Sequence, residues 1–201
     1  MSILSWSLFG FLLGSIPFSF LIGKLFARTD IRTVGDGNPG GTNAWKAGGW
    51  RVGLLAAILD ILKGFLPVYL ARQNDISDWK LVPVALTPVL GHALQPFLKF
   101  RGGKALGPSG GAWVGLIGLW VFPVYASFTL PVLAIQNENA WAAFAGMFAL
   151  LSYAVFLDGS LWMIVIAALN TLIIAWTHRR ELRHAPHLRP WLVNLLTRRS
   201  A

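Results

Sequence analysis

The chain begins with an uncharged segment, SILSWSLFGFLLGSIPFSFLIG from Ser2 to Gly23, and Lys24, Arg28 and Arg32 follow it. A segment of this length and polarity can cross a bilayer as a helix. A secretory signal carries its positive charges before the apolar segment rather than after it, so we expect a permanent first span. Because positive charges remain in the cytoplasm, the amino terminus is predicted to lie outside and Lys24 inside.

The composition of the whole chain indicates the same class. Hydrophobic residues make up 55% of its 201 residues, and charged residues only 12%. These proportions exclude an ordinary soluble domain. The net charge of +9 comes from basic residues at the ends of apolar segments, which favours membrane lipids and phosphorylated substrates as partners and argues against nucleic acid. Because there is no cysteine, zinc–cysteine sites and disulfides are excluded. We expect no metal and no cofactor.

Two further apolar segments are predicted as spans two and three. Span two ends before an external loop of balanced charge at 72–80, and span three covers 81–98. Span two contains Asp60 and Lys63, which are three residues apart and therefore share one face of a helix. Charged groups within a span are costly and face the interior of a bundle. The pair is interpreted either as a structural ion pair or as support for the neighbouring polar loop.

The stretch between Lys104 and Arg179 contains no Lys or Arg, and both of its ends are predicted to be cytoplasmic. The number of crossings between them should therefore be even. Breaks at Pro123, at 136–139 and at 158–159 divide it into four pieces, two of them shorter than the roughly 20 residues of an ordinary span. We predict an all-α integral membrane protein of about seven transmembrane helices. The alternative merges the pieces around Pro123 into one kinked helix, which breaks the parity unless another piece is re-entrant.

The carboxyl-terminal tail, 179–201, is basic and carries six Arg against one acid. Apolar residues recur in it at helical spacing: Leu188, Trp191, Leu192, Leu195 and Leu196. This pattern predicts an amphipathic cytoplasmic segment that lies in the headgroup layer. Together with the tail, residues 1–201 are expected to form a single transmembrane domain.

A polar, glycine-rich loop, GDGNPGGTN from Gly35 to Asn43, lies between the first two spans. Its glycines can adopt positive φ and let backbone N–H groups converge on an anion. Asn38, Thr42, Asn43 and Lys46 add side-chain donors. The loop is therefore predicted to hold a phosphate, and the alternative is a flexible connector. The pattern GxGxxG occurs in it, but both flanks are apolar helices, which excludes a dinucleotide fold.

A second basic loop surrounds a glycine pair, with Lys99 and Arg101 before Gly102-Gly103 and Lys104 after it. Ordinary positive-inside charge explains Lys99 and Arg101, but it does not explain a glycine pair followed at once by Lys104. Lys104 and Arg101 are therefore candidates for phosphate contact.

The four histidines and the acids show which catalytic groups the chain can supply. His178, where the last span meets the surface, is a candidate for substrate contact, whereas His92 is interpreted as a buried hydrogen-bonding group. No His is followed by Asp five positions later, and no paired-aspartate magnesium motif is present. An enzyme built on these loops would act by positioning anions and would need an already activated donor.

The chain resembles the bacterial acyl-phosphate-dependent glycerol-3-phosphate acyltransferases in five ordered motifs. These are Gly14-Ser15-Ile16-Pro17, the loop from Gly35 to Asn43, Asp60-Ile61-Leu62-Lys63-Gly64, Gly91-His92 through Lys104, and His178-Arg179. The resemblance implies a seven-span protein of the bacterial inner membrane, expected to be a monomer, with an external amino terminus, a cytoplasmic carboxyl terminus and cytoplasmic active-site loops.

The resemblance also implies an activity and a set of site residues. A fatty acyl group would pass from acyl-phosphate to the 1-hydroxyl of glycerol 3-phosphate, giving lysophosphatidic acid and phosphate for phospholipid synthesis. The implied catalytic residues are Lys104, His178 and Asn43. The implied substrate-binding residues are Asp36, Gly37, Asn38, Gly40, Thr42, Lys46, Arg101, Gly102, Gly103 and Glu181.

Five positions depart from the family pattern. Asp36 and Glu181 stand where the family has Ser and Asn, Lys46 where it has Arg, and Ala105 and Pro108 where it has Gly and Thr. An acid beside two phosphates repels them unless it pairs with Lys46, Lys104 or an Arg. Two alternatives therefore stay open: a paralogue with another polar acceptor, and a catalytically silent lipid- or phosphate-binding membrane protein.

Overall fold

The computed structural model describes residues 2–197, without the side chains of Leu196 and Thr197, and this part of the chain is all-α, as predicted. Its α-helices, in chain order, are α1 Ile3–Ser15, α2 Phe18–Phe26, α3 Gly41–Gln73, α4 Leu81–Leu94, α5 Leu106–Ile117, α6 Val121–Ile135, α7 Asn139–Tyr153, α8 Leu161–Thr177 and α9 Pro190–Thr197. Short helical turns join several of them, at Ile31–Thr33, Asp78–Lys80, Pro96–Leu98, Gly118–Trp120, Ala154–Asp158 and Glu181–Arg183.

The predicted first span consists of two helices, because Pro17 interrupts it. A residue before proline is driven out of the helical region, and Ile16 is extended, with φ −68° and ψ 122°. The carbonyl oxygen of Ile16 accepts no helical hydrogen bond; instead it accepts from Phe18 N at 3.0 Å and from Lys63 Nζ at 2.9 Å. The break in the first span thus provides a partner for a buried charge in α3.

Glycines let the central helices approach each other closely. A Cβ on Gly14 of α1 would collide with the backbone of Pro88 in α4, and one on Gly64 of α3 would collide with the carbonyl of Pro108 in α5. Small residues at such contacts are typical of helices that pack within membranes, where dispersion rather than the hydrophobic effect holds helices together.

Asp60 and Lys63 form the buried ion pair that was one of the two interpretations of span two. Lys63 Nζ lies 2.9 Å from Asp60 Oδ1, and the two residues are 1% and 4% exposed. The hydroxyl of Ser19 in α2 donates to Asp60 Oδ2. The pair therefore ties α3 to the first two helices.

Five helical stretches of the described chain are long and apolar enough to cross a membrane: Ile3–Phe26, Gly41–Gln73, Asp78–Leu98, Leu106–Ile135 and Asn139–Asp158. Leu161–Thr177 is a shorter apolar helix. Leu106–Ile135 is bent rather than straight. The residues on either side of it contact the end of α8 and the chain beyond that helix: Lys104 O accepts from Thr177 Oγ1, and Gln136 pairs with Leu188. The count of seven and the sidedness stay predictions.

The bend within Leu106–Ile135 lies at Gly118 and not at Pro123, so the predicted position of that break was wrong. Gly118 has φ 68° and ψ −153°, a conformation that glycine adopts without a steric penalty. Pro123 lies in the first turn of α6, where its missing N–H removes no helical hydrogen bond. The breaks predicted at 136–139 and at 158–159 are present in the structure.

The predicted amphipathic tail forms α9 and rests against the turn between α6 and α7. Arg189 N donates to Ile135 O at 3.0 Å, and Trp191 Nε1 donates to Ala134 O at 3.1 Å. Leu188, Trp191 and Leu195 remain about half exposed, as an anchor in a headgroup layer requires. The side chain of Leu196 and residues 198–201 lie outside the described residues, and the headgroup location stays a prediction.

Candidate active site

Three separate segments meet at one end of the helix bundle around a cavity of about 1000 Å³. They are the loop before α3, the loop between α4 and α5, and the end of α8 with the turn after it. The lining residues are Asp30, Arg32, Asp36, Gly37, Asn38, Pro39, Ala93, Leu94, Phe100, Arg101, Gly102, Gly103, Lys104, Trp176, Thr177, Arg179, Arg180 and Glu181. Five of these side chains are cationic and three are acidic, so the cavity favours anions.

Lys104 is held at the centre of this cavity by two carboxylates. Its Nζ lies 2.7 Å from Asp36 Oδ2 and 3.0 Å from Glu181 Oε1. Both acids are departures from the family pattern. A pairing of Asp36 with Lys104 was one of the possibilities that the sequence suggested. Burial alone would lower the pKa of Lys104, but the two carboxylates raise it above its usual value. Lys104 therefore stays charged.

The glycine-rich loop is folded around Asp36. Gly35 and Gly37 on either side of it have φ of 61° and 74°, which favours glycine at both positions. Asp36 Oδ1 accepts hydrogen bonds from Asn38 N at 3.2 Å and from Asn43 Nδ2 at 2.8 Å. Burial raises the pKa of Asp36, but the hydrogen bonds from Lys104, Asn38 and Asn43 outweigh burial and bring the pKa down to about 2. The carboxylate thus faces the cavity fully ionised.

Asn43 organises this loop from behind and does not line the cavity. It is 2% exposed, and its Nδ2 donates to both Asp36 Oδ1 and Asn38 O. The predicted donors Gly40, Thr42 and Lys46 also lie outside the cavity wall. Gly40 caps α3, Thr42 is in the first turn of that helix, and Lys46 Nζ approaches Gly35.

His178 is the residue at which α8 ends, and it likewise supports the site without lining the cavity. It is 3% exposed, and its Nδ1 lies 2.9 Å from the carbonyl of Ile174, so Nδ1 carries the proton. Burial lowers the pKa of His178, and nearby Lys104 lowers it further, against a raising effect of the Ile174 carbonyl. The imidazole is therefore neutral at pH 7. Its neighbour Thr177 donates to Lys104 O at 3.1 Å, which fixes the backbone at Lys104.

The glycine pair at 102–103 lets its loop pack closely against α4, whether or not the pair also contacts a ligand. A Cβ on Gly102 would collide with the carbonyl of Ala93, and one on Gly103 would collide with the ring of His92. Gly103 N donates to His92 O at 3.1 Å. The His92 ring itself has a buried Nδ1 without a hydrogen-bond partner among the described residues, so that atom is not satisfied as predicted.

The sequence interpretation missed several charged residues of the cavity wall. Arg179 and Arg180 come just after the end of α8, and Arg32 lies in the loop before α3 with its guanidinium 2.6 Å from Asp30. Arg101, Arg179 and Arg180 have no carboxylate partner among the described residues, which leaves them available to an anion. The run of Arg after the last apolar segment is the signal that indicates them.

Comparison with known proteins agrees with this picture. The family described as Glycerol-3-phosphate acyltransferase matches residues 4–186. A glycerol-3-phosphate acyltransferase of Thermus thermophilus is 38% identical over 182 residues, 89% of each chain. The crystal structure of PlsY (YgiH), an integral membrane glycerol 3-phosphate acyltransferase, is similar in its glycerol 3-phosphate form with a TM-score of 0.81 and 29% identity, covering 96% of this chain and 98% of that one. Its lysophosphatidic acid form gives a TM-score of 0.77 at 29% identity, covering 90% of both chains. The chain therefore belongs to the glycerol-3-phosphate acyltransferase family.

Proposed function

We propose that this protein transfers a fatty acyl group from acyl-phosphate to the 1-hydroxyl of glycerol 3-phosphate, releasing lysophosphatidic acid and inorganic phosphate. The observation that carries the proposal is the position of Lys104, where three segments of a family member meet at a cationic cavity. Relatives that are named glycerol-3-phosphate acyltransferases, and solved structures named for their glycerol 3-phosphate and lysophosphatidic acid forms, support the acceptor and the product.

The choice of donor follows from the groups that the cavity offers. Its wall contains five cationic side chains, and the buried His178 outside the wall is a neutral positioning residue. An acyl-phosphate is a mixed anhydride whose phosphate leaves readily, so holding both phosphates and aligning the hydroxyl can suffice for catalysis. Lys104, Arg101, Arg179 and Arg180 are the proposed phosphate-binding side chains. As the ester bond forms, the bond between the acyl carbon and the phosphate oxygen of the anhydride breaks, and the hydroxyl proton passes to the phosphate that leaves.

An apolar cavity of about 300 Å³ gives the acyl chain a place beside this site. Its lining includes Leu106 and Gly107, which come two and three residues after Lys104, and side chains from α3, α5, α6 and α7. The lining residues are Ile61, Leu106, Gly107, Ser109, Gly110, Val121, Phe122, Tyr125, Met147 and Leu150. An alkyl chain in this cavity would leave its carboxyl carbon at the polar end, close to Lys104.

A turnover assay with competing donors tests the proposal. Purified full-length protein in detergent is given glycerol 3-phosphate with palmitoyl-phosphate, palmitoyl-CoA or palmitoyl-acyl carrier protein, and lysophosphatidate is measured. We expect product, with one phosphate released per molecule, only from palmitoyl-phosphate. Lys99→Ala, an exposed lysine of the same loop that does not line the cavity, serves as the matched control for Lys104→Ala. Product from the thioesters alone, or no product above that of Lys104→Ala, would reject the proposal.

The two carboxylates on Lys104 favour one rival, a protein that binds phosphate without turnover. This rival predicts that glycerol 3-phosphate raises the unfolding temperature while no donor gives product. A paralogue with another acceptor predicts product from a different polar alcohol in competition with glycerol 3-phosphate. The turnover assay separates all three when thermal unfolding with and without glycerol 3-phosphate is measured beside it and other polar alcohols are added in competition.

We also propose that the protein is a monomer of the bacterial inner membrane and that the cavity opens to the cytoplasm. The run of basic residues around the three segments supports this orientation. Labelling of a cysteine introduced at exposed Lys99, in intact and permeabilised cells, tests the sidedness. The wild-type chain has no cysteine that would react in its place.

A further inference from the structure

Two carboxylates stand where the proposed function requires a phosphate to bind, and that function gives them no role. Asp36 reaches Lys104 from the loop before α3, and Glu181 reaches it from the turn after α8. One ammonium between two carboxylates leaves this wall of the cavity with a net negative charge. A fully ionised phosphate would be repelled here, whereas it would be attracted elsewhere in the cavity.

The remaining charges around Lys104 define what kind of anion can approach. Arg101 precedes the glycine pair, and Arg179 and Arg180 follow α8, so cations face this wall from two sides. On the turn Ile31–Thr33, Asp30 and Arg32 largely neutralise each other. Behind the wall lies the neutral His178. The cavity thus combines cations that attract an anion with carboxylate oxygens that can only accept hydrogen bonds.

The ionic form of a phosphate monoester decides whether it fits such a site. Its second pKa is about 6, so both forms are present near neutral pH. The dianion offers only acceptor oxygens, like a carboxylate, and the two cannot hydrogen-bond. The monoanion has one P–O–H group, which can donate to a carboxylate while its other oxygens accept from cations.

We propose that Asp36 and Glu181 make the site selective for the monoanion of the acceptor's phosphate, which donates its proton to one carboxylate and accepts from Lys104 and the arginines. This inference rests on the proposed function and deepens it by assigning the ionic form of the substrate that is bound. The proton stays on the phosphate in this step, and no covalent bond forms or breaks.

Asp36 and Glu181 stay ionised over the pH range in which the phosphate changes from monoanion to dianion. Burial raises the pKa of Asp36, but hydrogen bonds from Lys104, Asn38 and Asn43 bring it down to about 2. For Glu181, burial likewise raises the pKa, and backbone and Lys104 hydrogen bonds give a net lowering. Both therefore remain acceptors while the phosphate changes from monoanion to dianion.

Equilibrium binding of glycerol 3-phosphate to the full-length protein, from about pH 5.5 to about pH 8.5, tests this inference. Above the second pKa of the ligand, the dissociation constant should rise about tenfold per pH unit, because the monoanion becomes scarcer by that factor. In the double variant Asp36→Asn and Glu181→Gln, amide donors replace the acceptors, and the dependence should become nearly flat. Asp30→Asn, on the same cavity but paired with Arg32, is the matched control and should keep the wild-type slope.

A second ligand shows whether the titrating group belongs to the substrate or to the protein. The phosphonate analogue of glycerol 3-phosphate has a higher second pKa, so the break in its binding curve should move up by the difference between the two ligands. A break that stays in place would assign the titration to the protein and overturn the inference. Equal slopes in the wild type and the double variant would overturn it too. Absence of binding at every pH would instead reject the proposed function.

Discussion

In the described part of the chain two lysines contact carboxylates, and their surroundings differ. Lys63 in α3 is 1% exposed, and its Nζ is shared between Asp60 and the carbonyl of Ile16 at 2.9 Å each. Lys104 has a side chain that is 25% exposed and contacts Asp36 and Glu181 on the wall of the large cavity. The first lysine meets only protein atoms, whereas the second can exchange its partners for those of a ligand.

This difference separates a structural pair from a functional one. Removing one partner of a buried pair leaves an uncompensated charge in a poorly polarisable interior, and is therefore strongly destabilising. An exposed pair contributes little to stability, because water solvates either partner when the other is removed. The two clusters should accordingly respond in different ways: removal of one partner of the Lys63 pair should destabilise the fold, and removal of Lys104 should leave the protein folded but inactive.

The largest expected effect comes from breaking the buried cluster. Asp60→Ala leaves Lys63 charged and without a carboxylate, and should lower the free energy of unfolding by about 3–5 kcal/mol. Denaturant or thermal unfolding of the detergent-solubilised protein measures this. The double variant Asp60→Leu and Lys63→Met removes both charges and should recover most of the loss. A single variant as stable as the wild type would show that the buried pair is not structural.

The proposed acyl-chain cavity gives the next effect, on specificity rather than on stability. An added Cβ at Gly110 meets no neighbouring atom within 4 Å, so a larger side chain can enter without a clash. Gly110→Leu should fill part of the apolar cavity and lower kcat/KM for long-chain acyl-phosphates by about tenfold, with little change for short chains. Gly110→Ala is the control. Chain-length preference that is unchanged in Gly110→Leu would place the acyl chain elsewhere.

The smallest effect concerns backbone strain, which is concentrated at the polar end. Gln95, Lys99, Phe100 and Ala105 all have positive φ in the loop that leads to α5, and Ala105 has φ 61°. Replacing Ala105 with Gly removes a steric cost of roughly 1–2 kcal/mol. It also loses about 0.8 kcal/mol of methyl burial and about 0.4–1 kcal/mol through the greater freedom of glycine in the unfolded chain, so the variant should lie within about 1 kcal/mol of the wild type.

Ala112→Gly, in the regular part of α5, serves as the control for this effect. Ala112 is also buried but not strained, so this variant should lose about 2 kcal/mol through helix propensity and methyl burial together. Thermal unfolding of the two variants gives the comparison. Equal destabilisation of both would show that Ala105 is not strained.

The sequence predicted those parts of the molecule that depend on local pattern. Apolar lengths and charge positions predicted the all-α membrane fold, and the spacing of Asp60 and Lys63 indicated their pairing. The break expected at Pro123 was wrong, because a proline in a first turn does not interrupt a helix. The bend lies at Gly118 instead, and a single glycine in an apolar segment does not by itself predict a bend.

The site was predicted less completely because its geometry is tertiary. Lys104 and Asp36 are 68 positions apart, so no spacing could show that one lysine meets two carboxylates. Asn43 and His178 carry the right chemistry for substrate contact, yet both lie behind the wall and hold backbone in place. Whether a donor group faces a cavity or supports it depends on helix rotation, which composition does not determine.

The most direct test of the contrast between the two lysines is equilibrium binding of glycerol 3-phosphate to wild type, Lys104→Ala and Lys99→Ala, with the unfolding temperature of each protein measured beside it. Loss of a charged hydrogen-bond donor should weaken binding by Lys104→Ala on the order of tenfold to a hundredfold, while Lys99→Ala binds as the wild type does and all three unfold at similar temperatures. If Lys104→Ala bound glycerol 3-phosphate as tightly as the wild type, the cavity around Lys104 would not be the substrate site.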